Sequence, residues 1–540
     1  MKRGLKEGKT KADSLSQKIP NSTNGVKLVG PKTHIVTAAQ GVQNPYSARH
    51  YGRDSSKGRP NDSLISNLEA YTQANKGDLK ICAVAGSYVN EVELDGFFQE
   101  RDDVRMDKDA FLRLQAQRDL ELSRRDKWDE RDEEGRAVGD YPMHYFWDEV
   151  SPKSYPVTDE RLNSKISLMG LPEPTQNKDP LSGNTDLAQQ RRGTSIIFPH
   201  TKQRLKAVPK DLGWRMPRLI LTTGSCTLPN YNRSNRRGRK ADRDHEQGFL
   251  VVDVLNDDLY LPRLVPAQKD GTFIDMGIKY SEKYGISKAK TSALILGDLH
   301  VPRHDRIVME ANHEMMDFFK PAELYIHDLF DGISVSPHTL DDEITRMLQA
   351  EEGSDILEHE LQQCYEVLVD LSHRMGNRKI KVVASNHDDF FRRWLAKGAY
   401  RNDYRNARFA HKVLSKLQKG DWPLKVAIEQ INKIPKNVEF LTLTSDCRPW
   451  GYECGAHGHL GINGSKGSLR SLSTSYGKVI IGHVHQLEVM NGSISVGTSG
   501  VIPMPYQEGQ PSTSMAGNAV IYEGGLAQAL PIIYGKWKKK

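Results

Sequence analysis

The chain reads as an α/β protein: a layered C-terminal domain over residues 286–540, preceded by a separate mixed α+β domain over 31–285. Three observations predict it. From about residue 290, apolar runs (SALIL, ELYI, KIKVV) alternate with helical stretches near 305–319 and across 339–375. After residue 437 the runs shorten (VEFLTL, KVII, LEVM, NAVIY, ALPIIY), as a mixed sheet or two facing sheets would require. Most of the earlier runs end in small clusters of Asp, His and Asn, and α/β folds place their chemistry at such strand ends.

The remainder is less regular. Residues 1–30, rich in Lys, Ser, Thr, Asn and Gly, predict a flexible basic arm. Within 31–285, strand-like runs at Leu79–Ala85, Arg218–Thr222 and Phe249–Leu255 are separated by Gly, Pro and Asn clusters. The densely charged stretch 98–136 lacks breakers and predicts one or two solvent-facing helices. With 540 residues the chain is too long for one compact core.

Composition excludes several classes. No apolar stretch reaches the roughly 18 residues needed to cross a bilayer, and no apolar segment follows the basic start as a secretory signal would. Five scattered cysteines in a long chain argue against a disulfide framework and for a reducing compartment, so a cytoplasmic protein without a membrane partner is expected. Lys plus Arg number 76 against 69 Asp plus Glu, a mild +7 that rules out an acidic solvating protein but does not itself announce nucleic acid.

The chemistry concentrates in five clusters: Asp298-Leu-His300, Asp328-Leu-Phe-Asp331, Asn386-His387-Asp388, His457-Gly-His459 and His483-Val-His485. All are oxygen or imidazole donors and none is a thiol, which favours Mn, Fe, Zn or a similar ion over a thiolate site. Any single histidine is better explained as a satisfied core or surface residue. Together the clusters would bury many ionisable groups, at several kcal/mol per ion, unless metals or counter-charges compensate. A structural zinc on Cys447, Cys454 and His457 matches no common spacing, and the glycines of 461–468 fail the phosphate-loop spacing and read as turns.

In this order the clusters resemble the signature of the calcineurin-like metallophosphoesterases: D-x-H, G-D-x-x-D, G-N-H-D, H-G-H and G-H-x-H. The resemblance covers about residues 290–540, with His327 and Ser385 standing where the second and third motifs usually carry glycine. It implies an α/β/β/α layering and two divalent ions, Mn²⁺ foremost, with Fe, Zn or Mg as the other candidates. Asp298, His300, Asp328 and His485 would hold the first ion. Asp328, Asn386, His457 and His483 would hold the second, with Asp328 bridging. His387 would give a proton or hydrogen bond to the leaving oxygen, oriented by Asp388, while Asp331 would support a neighbouring ligand from behind. His459 is expected to cap a turn in preference to touching phosphate, and His304 and His327 would be supporting or plain loop residues. Such a site suits phosphodiester hydrolysis: two cations neutralise the anion and acidify a water held between them.

The H-G-H motif looks more like the branch containing SbcD-type nucleases and small phosphodiesterases than like the protein phosphatases, whose arginines are absent here. Residues 389–440, a basic helical insert, carry twelve Lys/Arg against five Asp/Glu, a net of +7. There Arg392, Arg393, Lys397, Arg401, Arg405 and Arg408 are interleaved with Phe390, Trp394, Tyr400 and Tyr404, which suits a phosphate backbone with stacked bases as well as a solvated helix with core aromatics. Arg236, Arg237 and Arg239 form a second basic cluster, whereas residues 341–360 carry eight acidic groups and one Arg, a face that would repel DNA. The expected function is a metal-dependent DNA nuclease, with DNA as partner. A phosphomonoesterase or cyclic-nucleotide phosphodiesterase, and a non-catalytic scaffold, are the rivals. Residues 31–285 are left to clamp DNA, to self-associate into a homo-oligomer or to bind another protein.

Overall fold

The computed structural model describes residues 31–40, 59–84 and 160–539, the last apart from 171–172, 174, 176–178, 191–192, 211–215, 230, 232 and 234–235. The expected arm 1–30 and the helices expected in 98–136 lie outside the described residues.

In chain order the first part holds β1 (Lys32–Ala39), α1 (Asp62–Asn75), β2 (Asp78–Ala83), β3 (Ser195–Phe198), β4 (Leu205–Val208), β5 (Arg218–Thr222), β6 (Gly248–Val254) and β7 (Tyr260–Pro266). Next come β8 (Thr291–Ile295), α2 (Arg306–Phe319), β9 (Glu323–Ile326), α3 (Glu343–Glu352), α4 (Leu357–Met375), β10 (Lys379–Val382), α5 (Asn386–Ala396), α6 (Ala407–Leu414), α7 (Pro423–Ile431) and β11 (Val438–Phe440). The last part contains α8 (Leu469–Tyr476), β12 (Lys478–Ile481), β13 (Glu488–Met490), β14 (Ser493–Ser495), β15 (Ala516–Tyr522) and β16 (Ala527–Ile532).

A six-stranded sheet runs in the order β11-β10-β9-β8-β15-β16. Its first four strands are parallel and the last two antiparallel. Because side chains alternate along a strand, this sheet feeds two cores. Leu294, Leu324, Ile326, Ile380, Val382, Val520 and Tyr522 pack with the helices, while Ala293, Ile295, Tyr325, Ala519 and Ile521 pack with the second sheet. The helices show matching stripes. In α4, Leu357, Leu361, Cys364, Leu368, Leu371 and Met375 recur every three or four residues and are all buried, each large one worth about 1.5–3 kcal/mol. Asp305 starts α2 by accepting from the amides of Ile307 and Val308. The expected single helical region 339–375 is two helices. Gly353, at φ +71°, ends α3 by capping the Gln349 carbonyl.

The second sheet has nine strands, with β12, β14 and β13 followed by β4, β5 and β3. The junction is the antiparallel contact of Val489 with Leu205, so residues on both sides of 285 share one sheet and one core. The four-stranded sheet β7-β6-β1-β2 adds Val36, Leu250 and Val252 to that core and carries α1 on its other face. The outer face of the nine-stranded sheet is covered by α8 and by the short helix Thr185–Gln190. Among the described residues no helix is long and apolar enough to cross a membrane.

Candidate metal centre

Parallel strands end side by side, so the loops leaving β8, β9 and β10 meet at one edge of the six-stranded sheet, opposite the loop leaving β12. The backbones of the first two loops stay zipped together, Leu299 donating to the His327 carbonyl and His300 to that of Asp328, at 3.1 and 2.7 Å. Four residues there adopt left-handed backbone: His300 (φ +52°), Asp328 (+42°), His483 (+73°) and His485 (+54°). Each costs about 1 kcal/mol or more for a residue other than glycine, and strain of this kind persists where the surroundings enforce it. The result is that side chains from these four loops, and from a fifth that carries His457 ahead of α8, converge.

One group is Asp298, His300, Asp328 and His485, all buried, whose ligating atoms lie within 4.8 Å of one another. Nε2 of His485 is 3.2 Å from Asp298 Oδ2 and 2.8 Å from His300 Nε2, and Asp328 Oδ2 is 3.7 Å from His300 Nε2. The Nδ1 of His300 lies 3.0 Å from Asp331 Oδ1; donation there leaves the Nε2 lone pair facing the cluster. On the other side of Asp328, its Oδ2 is 3.2 Å from His457 Nε2, which is 3.1 Å from Asn386 Oδ1. His483 Nδ1 is also 3.1 Å from that amide oxygen. Asp328 thus stands between two sets of donors.

These residues fit cations. The second oxygens of both carboxylates, Asp298 Oδ1 and Asp328 Oδ1, are buried without a hydrogen-bond partner. Two orphaned buried carboxylate oxygens are expensive unless a positive charge answers them. Burial would raise the Asp328 carboxyl, but His457, His387 and His300 around it hold it well below the usual carboxylate range. Burial would lower His457, yet Asp328 and Asp298 push it up to about 9. It therefore carries a proton at neutral pH that a metal must displace. Manganese binding at pH 7 should release about one proton from His457, and affinity should rise with pH until about 9. Calorimetry in buffers of different ionisation enthalpy checks this.

Close approach of the loops depends on Gly482. A Cβ there would fall 2.1 Å from Asp298 Oδ1 and 3.0 Å from the His327 Cβ. Gly482→Ala is expected to lower stability by about 1–3 kcal/mol and to weaken metal binding, read by thermal melts with and without manganese.

The supporting residues depart from expectation at one point. Asp388 does not orient His387. It is the third residue of α5 and forms a capping box with Ser385, and its Oδ2 also accepts from Trp422 Nε1 at 3.1 Å. Ser385 is thus the N-cap of α5. His387 is held by Asp331, its Nδ1 donating to the backbone carbonyl at 2.6 Å with the carboxylate 3.9 Å away. His459 is partly buried, its ring 5.5 Å from that of His457 and 6.1 Å from that of His483. Asn386, His387, His459 and His483 are half-buried while the first group is buried, so the approach from solvent lies on their side.

Sequence reasoning passed over Arg303, three residues after His300, whose Nη1 donates to Asp331 Oδ2 at 3.0 Å. It also left His327 open; that ring is fully buried against His457. His304 is partly buried at the edge of a cleft between α2 and α4.

The basic insert is less free than its composition suggests. Arg392 and Arg393 both pair with Asp389, Arg405 pairs with Asp355 at 2.5 Å, and Arg401 lies over the Tyr400 ring. Trp394 and Tyr400 are core residues, so the core alternative holds for them, while Tyr404 is 87% exposed. Lys397 and Arg408 are exposed, as are Arg236, Arg237 and Arg239 on the helix Arg236–Arg243.

Fold and site define a mixed α/β protein with a buried Asp/His cluster of metal-binding geometry. Over 376 residues the chain is 27% identical to Protein A1 of Escherichia phage T5, a match covering 66% of each chain, so it spans slightly less than two thirds of that relative. No family model and no solved structure matches the chain.

Proposed function

We propose that the chain is a dimetal-dependent phosphodiesterase that cuts DNA. The observation that carries the reading is the position of Asp328, whose one oxygen faces His300 on one side and His457 on the other, between two donor sets. Asp298, His300, Asp328 and His485 would hold one divalent ion, and Asp328, Asn386, His457 and His483 the other. Such ions, when bound, neutralise a phosphodiester and make water nucleophilic at neutral pH, with Mn²⁺ the leading candidate for an all oxygen and imidazole set. Asp331 holds both His300 and His387, and His387 faces the half-buried side where a leaving oxygen would depart. Lys397, Arg408 and the arginines at 236, 237 and 239 are exposed cations that a DNA backbone would meet.

The likeness to a phage protein supports a setting in the cytoplasm of an infected bacterium, where the activity would degrade host DNA early in infection. A homo-oligomer, or a host or phage protein bound through residues 31–285, would complete the assembly. The test is digestion of circular against linear duplex DNA with and without Mn²⁺. Manganese-dependent loss of either substrate supports the reading and reports the cutting mode. Activity confined to nucleotides or small aryl phosphates favours a phosphomonoesterase or cyclic-nucleotide enzyme, and no hydrolysis at all favours a scaffold.

A further inference from the structure

His327 is fully buried, and its ring lies 5.4 Å from that of His457 at an angle of 34°. Their Nδ1 atoms are 3.3 Å apart, while Nε2 of His327 has no hydrogen-bond partner. His457 is therefore bracketed: its Nε2 faces Asp328 Oδ2 and Asn386 Oδ1, and its Nδ1 faces His327.

Two imidazole nitrogens in that contact cannot both offer a lone pair, so one of them donates. With Nε2 of His457 committed to a cation, its ring proton would stay on Nδ1. That N–H would donate a hydrogen bond to Nδ1 of His327, whose own proton would sit on Nε2, the atom without a partner. The unpartnered donor is the cost of the arrangement, and it is the tautomer that cation binding demands. Ligating histidines ordinarily give their second N–H to a carboxylate, a carbonyl or water, as His300 gives to Asp331.

We propose that His327 is a positioning residue that fixes His457 as the Nδ1–H tautomer and so completes the second cation site. The proposal rests on the dimetal reading. It predicts that the acceptor at the Nδ1 place is what matters, more than the size of the ring.

The test compares two amides in the full-length chain. His327→Asn keeps a carbonyl oxygen near the position of Nδ1, whereas His327→Gln moves the amide one bond outward, to the place of Nε2. Manganese bound per chain is counted by equilibrium dialysis with elemental analysis, and paramagnetic resonance separates exchange-coupled pairs from isolated ions. Wild type and His327→Asn should hold two ions with the coupled signal. His327→Gln should hold one tightly and the second about 10–100-fold more weakly, with the signal of isolated manganese. Circular dichroism shows whether each amide variant folds, and the contrast between them needs no larger truncation. Both variants keeping the pair at wild-type affinity overturns the proposal, because the acceptor is then dispensable. Both losing the second ion equally also overturns it, because His327 then acts by packing or as a ligand of a cation shared with Asp298 and His457. A wild-type chain that binds no pair removes the dimetal reading itself, and the wild-type count alone tells that failure apart.

Discussion

An Asp328→Asn chain is expected to fold, to bind manganese about 100-fold or more weakly, and to leave DNA uncut. The backbone tolerates the change, since Asn is among the few residues that enter the left-handed region readily, and position 328 sits at φ +42°. The side chain keeps its shape and loses its charge. That charge is what both donor sets share: Oδ2 lies 3.2 Å from His457 and 3.7 Å from His300. Removing a residue that merely supports a ligand costs about 10–100-fold in metal affinity, so removing the shared ligand costs at least the upper end of that range. The amide would also set an N–H donor, or a neutral oxygen, among imidazoles that Asp328 now attracts. Elemental analysis after dialysis reads the metal, and plasmid degradation reads the chemistry. A variant that degrades DNA at the wild-type rate would mean that the cluster is not the catalytic centre.

The clustered positions were legible because all but those around His457, which read as a loop, follow or lie close to an apolar run, and a buried strand gives its end no reason to be ionisable unless something binds there. Asp298, Asp328 and Asn386 follow β8, β9 and β10 in that way. Adjacent residues misled where periodicity did not. Asp388 follows His387 in sequence, but consecutive residues of a helix do not face one another, and the first turn of α5 spends Asp388 on its own amide ends. The interleaved aromatics of 390–404 show the same effect. Phe391 and Trp394 are three apart, share a buried face and lie 6.1 Å from each other, leaving the arginines between them outside. Nothing local announced that β4 would join β13. That contact spans more than half the chain and closes on one residue pair, Leu205 with Val489, so it depends on how two sheets meet and not on any run of sequence.

Replacing His387 by Ala should leave manganese bound and slow DNA cleavage by about 10²–10⁴-fold, the range that a positioned proton donor supplies. His387 shares a possible ligand group with His300 and Asp331, but with none of Asp298, Asp328, His457 or His485. Its Nδ1 donates to the Asp331 carbonyl, its ring stands 4.7 Å from those of both His300 and Phe390, and the residue itself is half-buried. Burial would lower its pKa, but Asp328 and Asp331 outweigh that and raise it above the ordinary histidine value. The imidazolium of the metal-free chain therefore persists to higher pH than a free histidine would allow, and cations on Asp328 would cancel its share of that shift and leave the share of Asp331. Cleavage should fall as pH climbs through the His387 pKa, and the alanine variant should lack this descending limb. Leaving-group chemistry provides the sharper control. A departing deoxyribose alkoxide needs a proton, whereas p-nitrophenolate leaves without one, so the variant should lose far less activity toward bis(p-nitrophenyl) phosphate than toward DNA. Equal losses on both substrates would assign His387 to holding phosphate, and loss of manganese would place it among the ligands, beside the His300 that the Asp331 carboxylate holds.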